Sequence, residues 1–209
     1  EGGKIIDDTE LVVDVAAVPL TFGGAAGYNV ENVVGCAAMA RALGIGQDAI
    51  VRALTTFQPS DNPRRGQLLE RRGVRVLLDF GHNPEGIRGV LQLSAALRRD
   101  RPGRLIVVAG AAGDRSEHDI AEVAGAIRAA QPHRVLLRDL AGYLRGRAPG
   151  EVPAMFEHAL GALRFPREAV ATVGSEVEAL RSVFDAALPG DFVVVLVHLE
   201  QAAVQAFLD

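Results

Sequence analysis

The stretch "DFGHNPEG" at residues 79–86 sets an acid, an imidazole and an amide between an apolar run and a helix-like segment. Asp79 ends that run. In open α/β sheets ligands bind outside the carboxyl ends of strands, and a carboxylate there can accept two hydrogen bonds from a ribose diol. Local roles fit the same residues: Asp79 or Asn83 can cap the helix opening near Pro84-Glu85. His82 suits a general base or a turn histidine bonded to backbone. Two more stretches follow apolar runs in the same way. "GAAGDRSEHD" (110–119) has small residues that let backbone amides approach an anion at a helix N-terminus. Arg115 adds charge there and Ser116 is a cap candidate; a plain tight turn fits equally. "RDLAGYLRGRAPGE" (138–151) carries Arg138, Arg145 and Arg147, guanidiniums suited to carboxylate or phosphate, or to a solvated loop answering nearby acids.

Other chemistries find no support in these 209 residues. Five histidines without metal-ligand spacing and a single cysteine exclude a zinc site. Cys36, beside Ala37, Ala38 and Met39, reads as a small core residue rather than a nucleophile. No serine sits in a G-x-S-x-G context. Gly110 and Gly113 have the wrong spacing for the G-x-G-x-x-G dinucleotide fingerprint, which counts against a dinucleotide-dependent oxidoreductase. The G-x-x-x-x-G-K-[ST] phosphate loop is missing too, and Lys4 is the only lysine. No residue is assigned a catalytic role, and none a metal.

The elements that must position the candidates are legible from residue 74 onward. Continuous apolar runs at 74–80, 104–110, 133–139, 168–173 and 191–197 suit strands buried on both faces of a parallel sheet. Between them run helical stripes: Ile120, Val123, Ala124, Ile127; then Val152, Met155, Phe156, Ala159, Leu160, Leu163; then Val177, Leu180, Val183, Phe184, Leu188. This alternation predicts an α/β fold, a doubly wound, mostly parallel, Rossmann-like sheet with helices on both faces. Before it, 13–22 reads as a strand ending in Gly23-Gly24. Residues 29–45 read as a helix with Asn29 as N-cap and Gly44 as stop, and 46–57 as a shorter helix. The polar stretch "QPSDNPRRG" (58–66) resembles an interdomain linker, and "LLERRGVRVLL" a hairpin turning near Arg72-Gly73. The expected division is 1–60, a linker at 61–66, and 67–209.

Composition agrees. Hydrophobic residues make up 49% of the chain, enough for a sizeable core, and a net charge of -4 argues against a nucleic-acid-coating protein. One cysteine rules out an intrachain disulfide and suits a reducing cytoplasm. No apolar run reaches membrane-spanning length, so no membrane partner is expected. The chain begins at Glu1 rather than Met, which suggests a processed or excised piece.

Three stretches together resemble the Mur ligase family, over essentially the whole chain. "GYNVENVVGCAAMARALGI" (27–45) is similar to the family's H-N-x-x-N helix near the end of its central domain. "NPRRGQLLE" (62–70) resembles its interdomain linker, and "DFGHNPEG" its "DYAHNP-x-G". "VPLTFGG" (18–24), "GAAGDRSEHDI" (110–120) and "LRGRAPGE" (144–151) look most like the Mur-type half of cyanophycin synthetases.

The resemblance implies an ATP-dependent amide ligase. In that family a carboxylate takes the γ-phosphate of ATP, an amine attacks the acyl phosphate, and Mg2+ neutralises the phosphates. Residues 1–60 then correspond to the tail of the central, ATP-binding domain and 67–209 to the C-terminal domain. Asn32 matches the asparagine at the adenine edge and Asn29 its partner, while Tyr28 replaces the usual histidine. Arg65 matches the linker arginine that reaches ATP, with Arg64 in place of a glycine. Asp79 matches the ribose-binding aspartate, and His82 and Asn83 shape its turn. Asp114, Arg115, Arg145 and Arg147 fall on the amino-substrate side. The family's phosphate loop, magnesium-binding glutamate and modified lysine correspond to positions upstream of residue 1, so this chain alone is expected to be inactive. The expected partner is a small molecule or peptide bearing an amino group; self-association stays open. The alternative is a non-catalytic Mur-like module that binds a nucleotide or an acidic peptide.

Overall fold

A computed structural model describes residues 3–7 and 10–209. The chain divides into two compact units, Glu1–Pro63 and Arg64–Asp209.

In the first unit, β1 (Lys4–Asp7) and β2 (Glu10–Asp14) form an antiparallel pair. The strand expected over 13–22 stops at Asp14. Its carboxylate accepts from the Ala16 amide at 2.9 Å and starts a 3-10 turn, and Pro19, which has no N–H to give a ladder, opens a second. The Thr21 hydroxyl, fully buried, fastens both turns through the Val15 and Val18 carbonyls at 2.7 and 2.8 Å. Two helices follow, α1 (Gly27–Ala42) and α2 (Gln47–Thr56). Asn29 is not the N-cap of α1; that is Ala26, and Asn29 lies one turn inside, buried, with Nδ2 donating to the Leu20 carbonyl at 2.8 Å. Gly44, at φ +79, ends the helix as expected. Cys36 is exposed rather than in the core, because Val33 and Ala37 take the buried stripe.

The second unit is built on a six-stranded sheet. The antiparallel hairpin β3 (Arg65–Arg71) and β4 (Val74–Asp79) turns at Arg72 and Gly73, both with positive φ, as a tight two-residue hairpin demands. Then come α3 (Pro84–Arg98), β5 (Leu105–Ala109), α4 (Glu117–Ala129), β6 (Arg134–Leu137), α5 (Glu151–Ala162), β7 (Val170–Thr172), α6 (Glu176–Phe184), β8 (Phe192–Leu196) and α7 (Gln201–Leu208). The strand order is β3-β4-β8-β5-β6-β7, parallel throughout except for β3 against β4.

Alternate strand residues sort the helices. Val76, Val108, Leu136 and Val195 pack with Leu180 and Val183 of α6 and Val204 of α7. Leu77, Val107 and Val194, of the other parity, are fully buried on the opposite face. Arg75 shares that parity and donates to the Leu97 carbonyl at 2.8 Å, which puts α3 on that side, with α4 and α5 following in contact. Helices therefore cover both faces, the predicted doubly wound arrangement. The register aligns Asp79 with Leu196 and Ala109 with Leu137, so the turns after β4, β5, β6 and β8 emerge along one edge of the sheet. No helix among the described residues is long and apolar enough to cross a membrane.

Candidate functional site

Asp79 ends β4 with its side chain only 3% exposed. Its carboxylate is clamped from two directions. Oδ2 accepts from the Gly66 amide and Oδ1 from the Gly81 amide, each at 2.8 Å. The Gly81 bond is a local Asx turn. The Gly66 bond depends on a bulge between Arg65 and Gln67 in β3, where Gly66 adopts φ +70 and turns its N–H toward the partner strand. Arg64, just before, holds φ +63, a left-handed conformation that favours glycine. Asn83, not Asp79, is the N-cap of α3, accepting from the Gly86 amide at 2.7 Å ahead of Pro84 at N1.

Phe80, half-buried, is the hub of this corner. The guanidiniums of Arg64 and Arg65 stand 5.3 and 5.2 Å from its ring centroid, within cation–π range. The rings of His82 and His198 each lie 5.3 Å from it. Arg65 and His82 are exposed and Arg64 is half-buried, so one guanidinium and an imidazole face solvent around an aromatic side chain. His82 also lines a narrow crevice with Pro84, Gly110 and Arg115, so two of the predicted stretches meet there.

Behind the corner lies a buried polar network. Arg138 and Glu176, each 1% exposed, are paired at 2.5 Å. Arg138 Nη2 also donates to the Leu196 carbonyl at 2.8 Å and to His198 Nδ1 at 3.0 Å. The Glu176 carboxylate collects the backbone amides of His198, Leu199 and Glu200 at 2.6, 3.0 and 2.7 Å, fixing the turn after β8. Burial lowers the Arg138 pKa, with the Glu176 and Glu200 charges opposing. Burial, then the Arg138 charge, lowers that of His198 to about 4, so its ring is neutral near pH 7.

The three arginines expected to act as one cluster have three different settings. Arg138 is buried. Arg147 braces the loop after β5, with Nε donating to the Gly113 carbonyl at 2.7 Å, and it pairs with Glu151 at 2.5 Å. Arg145 is exposed at φ +50 with its guanidinium 5.2 Å from the Tyr143 centroid. The separation follows from packing. A Cβ on Gly113 would come within 1.9 Å of the Leu144 carbonyl oxygen, so the loop after β6 sits directly on the loop after β5. The Gly113 amide donates to the Tyr143 carbonyl at 2.8 Å, which takes it away from any anion. Asp114 is exposed beside it, Arg115 is half-buried, and Ser116 with Asp119 forms a capping box at the start of α4.

Asn29 and Asn32 lie in the first unit, one turn apart on α1, with the exposed Asn32 amide 3.5 Å from Asn29 Oδ1. A groove of about 740 Å³ runs between α4 and α5, on helix faces rather than at strand ends. No set of acids, imidazoles or thiols among the described residues could hold a metal ion.

Residues 64–197 match the family model described as Mur ligase, glutamate ligase domain. The chain belongs to the Mur ligase family. It is 31% identical over 194 residues to the UDP-N-acetylmuramoyl-L-alanyl-D-glutamate–2,6-diaminopimelate ligase of Corynebacterium efficiens, covering 90% of this chain and 35% of that one. It is 30% identical over 142 residues to the cyanophycin synthetase of Crocosphaera subtropica, covering 67% of this chain and 16% of that one. The chain thus spans about a third or less of the length of these relatives. Among solved structures, the UDP-N-acetylmuramate-alanine ligase MurC of Thermotoga maritima superposes with TM-score 0.59 at 18% identity, covering 86% of this chain and 36% of that chain. The fold is that of Mur ligase C-terminal domains.

Sequence reasoning missed Phe80 as a hub, Gly66 as an Asp79 partner, and the Glu176–His198 pair. His198 carried one usable signal, a polar residue directly after the apolar run 191–197.

Proposed function

We propose that this Mur ligase chain is the adenine/ribose and amino-substrate part of an ATP-dependent amide ligase that works through an acyl phosphate, and that it is inactive without its phosphate-binding counterpart. The observation that carries the reading is the Asp79 corner: a carboxylate aimed by two backbone amides, beside an aromatic ring flanked by two guanidiniums. A carboxylate offers about four acceptor sites, and rigid orientation is what recognition of a diol needs. Arg65 is an exposed cation beside the half-buried Arg64, which suits the phosphates of a nucleotide. The donor set therefore fits ATP. No cluster of three or more acids, imidazoles or thiols among the described residues could hold a metal ion, so no step is assigned to Mg2+ here.

ATP supplies the phosphoryl group that activates a carboxylate. The residues of this chain orient it: Asp79 at the ribose, Arg65 toward the phosphates, Asn32 at the adenine edge, with His82 and Asn83 shaping the turn. Asn29, tied to the Leu20 carbonyl, acts by positioning. Asp114, Arg115 and Arg145 remain candidates for the amino substrate, and Arg147 supports them by bracing their loop. The experiment is ADP binding by the Asp79→Asn variant. It keeps the shape and loses one carboxylate oxygen; the reading expects at least tenfold weaker binding with an unchanged circular dichroism spectrum. Unchanged affinity sinks the ribose assignment.

A further inference from the structure

We propose that His198 is the positioning residue of the Asp79–His82 turn: as the Nε2–H tautomer it holds the Gly81 carbonyl and, through Arg138, ties that turn to the ends of β6 and β8. Its two ring nitrogens meet groups of opposite and fixed character. Nδ1 lies 3.0 Å from Arg138 Nη2, which has only hydrogens to offer. Nε2 lies 3.2 Å from the Gly81 carbonyl oxygen, which can only accept. Only the neutral ring protonated on Nε2 satisfies both, and the depressed basicity of the ring agrees. The neighbouring charged and titratable groups point the same way: the Arg138 charge and His82 disfavour protonation, Glu176 alone among the side chains favours it, and burial outweighs Glu176.

The consequence reaches Asp79 through one residue. Gly81 uses its carbonyl on His198 and its amide on Asp79 Oδ1. Holding the one end of this residue restricts the other. The edge of the His198 ring also meets Phe80 at 62°, the same ring that Arg64 and Arg65 flank. His198 thus bears on the direction of the carboxylate and on the seat of both cations, while touching no ligand itself. Any effect on nucleotide affinity rests on the function proposed above; the geometry of the turn does not.

The test uses the 209-residue chain in three arms. Long-range proton–nitrogen correlation on the wild type should show His198 as a single Nε2–H tautomer at pH 7. A Nδ1–H tautomer, or a mixture, overturns the proposal without any mutation. His198→Leu should then speed hydrogen exchange of the Gly81 amide by about tenfold, the scale of one lost hydrogen bond, while the β5 amide of Val107 stays protected. His198→Gln, which keeps one donor and one acceptor, should restore most of the protection. Unchanged Gly81 exchange in a folded His198→Leu overturns it, as does failure of the Gln rescue. In the third arm, ADP affinity should fall in His198→Leu and recover in His198→Gln. A wild type that binds no nucleotide defeats the proposed function and leaves the first two arms to decide the turn.

Discussion

Replacing Glu176 by leucine removes four accepted hydrogen bonds at once: one from Arg138 and one from each of the backbone amides of His198, Leu199 and Glu200. It also leaves a guanidinium that is 1% exposed without its counter-charge. Breaking a buried pair from one side costs about 3–5 kcal/mol. The amides of 198–200 are partly within reach of water and add less than their full penalty, so the expected loss is about 4 kcal/mol. Arg138→Met acts from the other side and leaves a carboxylate that still has three backbone donors, so about 2 kcal/mol is expected. The double variant should cost about 4 kcal/mol or less, because removing Arg138 relieves the worst consequence of losing Glu176. The assay is native-state hydrogen exchange read at Val193–Val195 of β8, which reports the second unit separately from the first. Additive single effects, or a Glu176→Leu cost below about 1 kcal/mol, would refute the reasoning that this pair anchors the turn after β8.

Three further outcomes follow from the same structure. The unfolded imidazole takes up a proton near pH 6.5, whereas folded His198 does so only near pH 4. The unfolded state therefore binds more protons between those values, and His198 should remove about 3 kcal/mol of stability as pH falls from 6.5 to 4; urea titrations of wild type and His198→Gln at several pH values should differ in that slope. Gly113→Ala must push a Cβ against the Leu144 carbonyl and should cost about 2–3 kcal/mol, whereas Gly125→Ala, in α4 with open space around it, should gain about 0.5–1 kcal/mol; thermal unfolding separates the signs. Ser116→Ala loses the capping box of α4 and should cost about 1 kcal/mol by the same measurement.

The centre of the sheet was legible because β5 and β8 are buried on both faces and so read as unbroken apolar runs; 104–110 contains Leu105–Ala109 and 191–197 contains Phe192–Leu196. The first unit was harder. Residues 13–22 are apolar enough for a strand, but the decisive contacts, Asp14 to Ala16 and Thr21 to Val15, are side-chain bonds that apolar patterning does not encode. Asn29 failed as a cap for a related reason, since its partner Leu20 lies nine residues back in an irregular turn. At the site, Asp79 was found by its place at a strand end. Its partner Gly66, thirteen residues away, depends on the register of a bulge. Arg138 and Glu176, 38 residues apart, meet only because β6 and α6 converge at the same edge.

The central claim is that the Asp79 corner takes a nucleotide, and isothermal titration of the 209-residue chain tests it most directly, with magnesium-ATP and ADP as ligands and NAD as control. The account predicts weak binding shared by ATP and ADP, little or none of NAD, and loss of the signal in Asp79→Ala. Absence of binding by either nucleotide, or equal binding by wild type and Asp79→Ala, contradicts it.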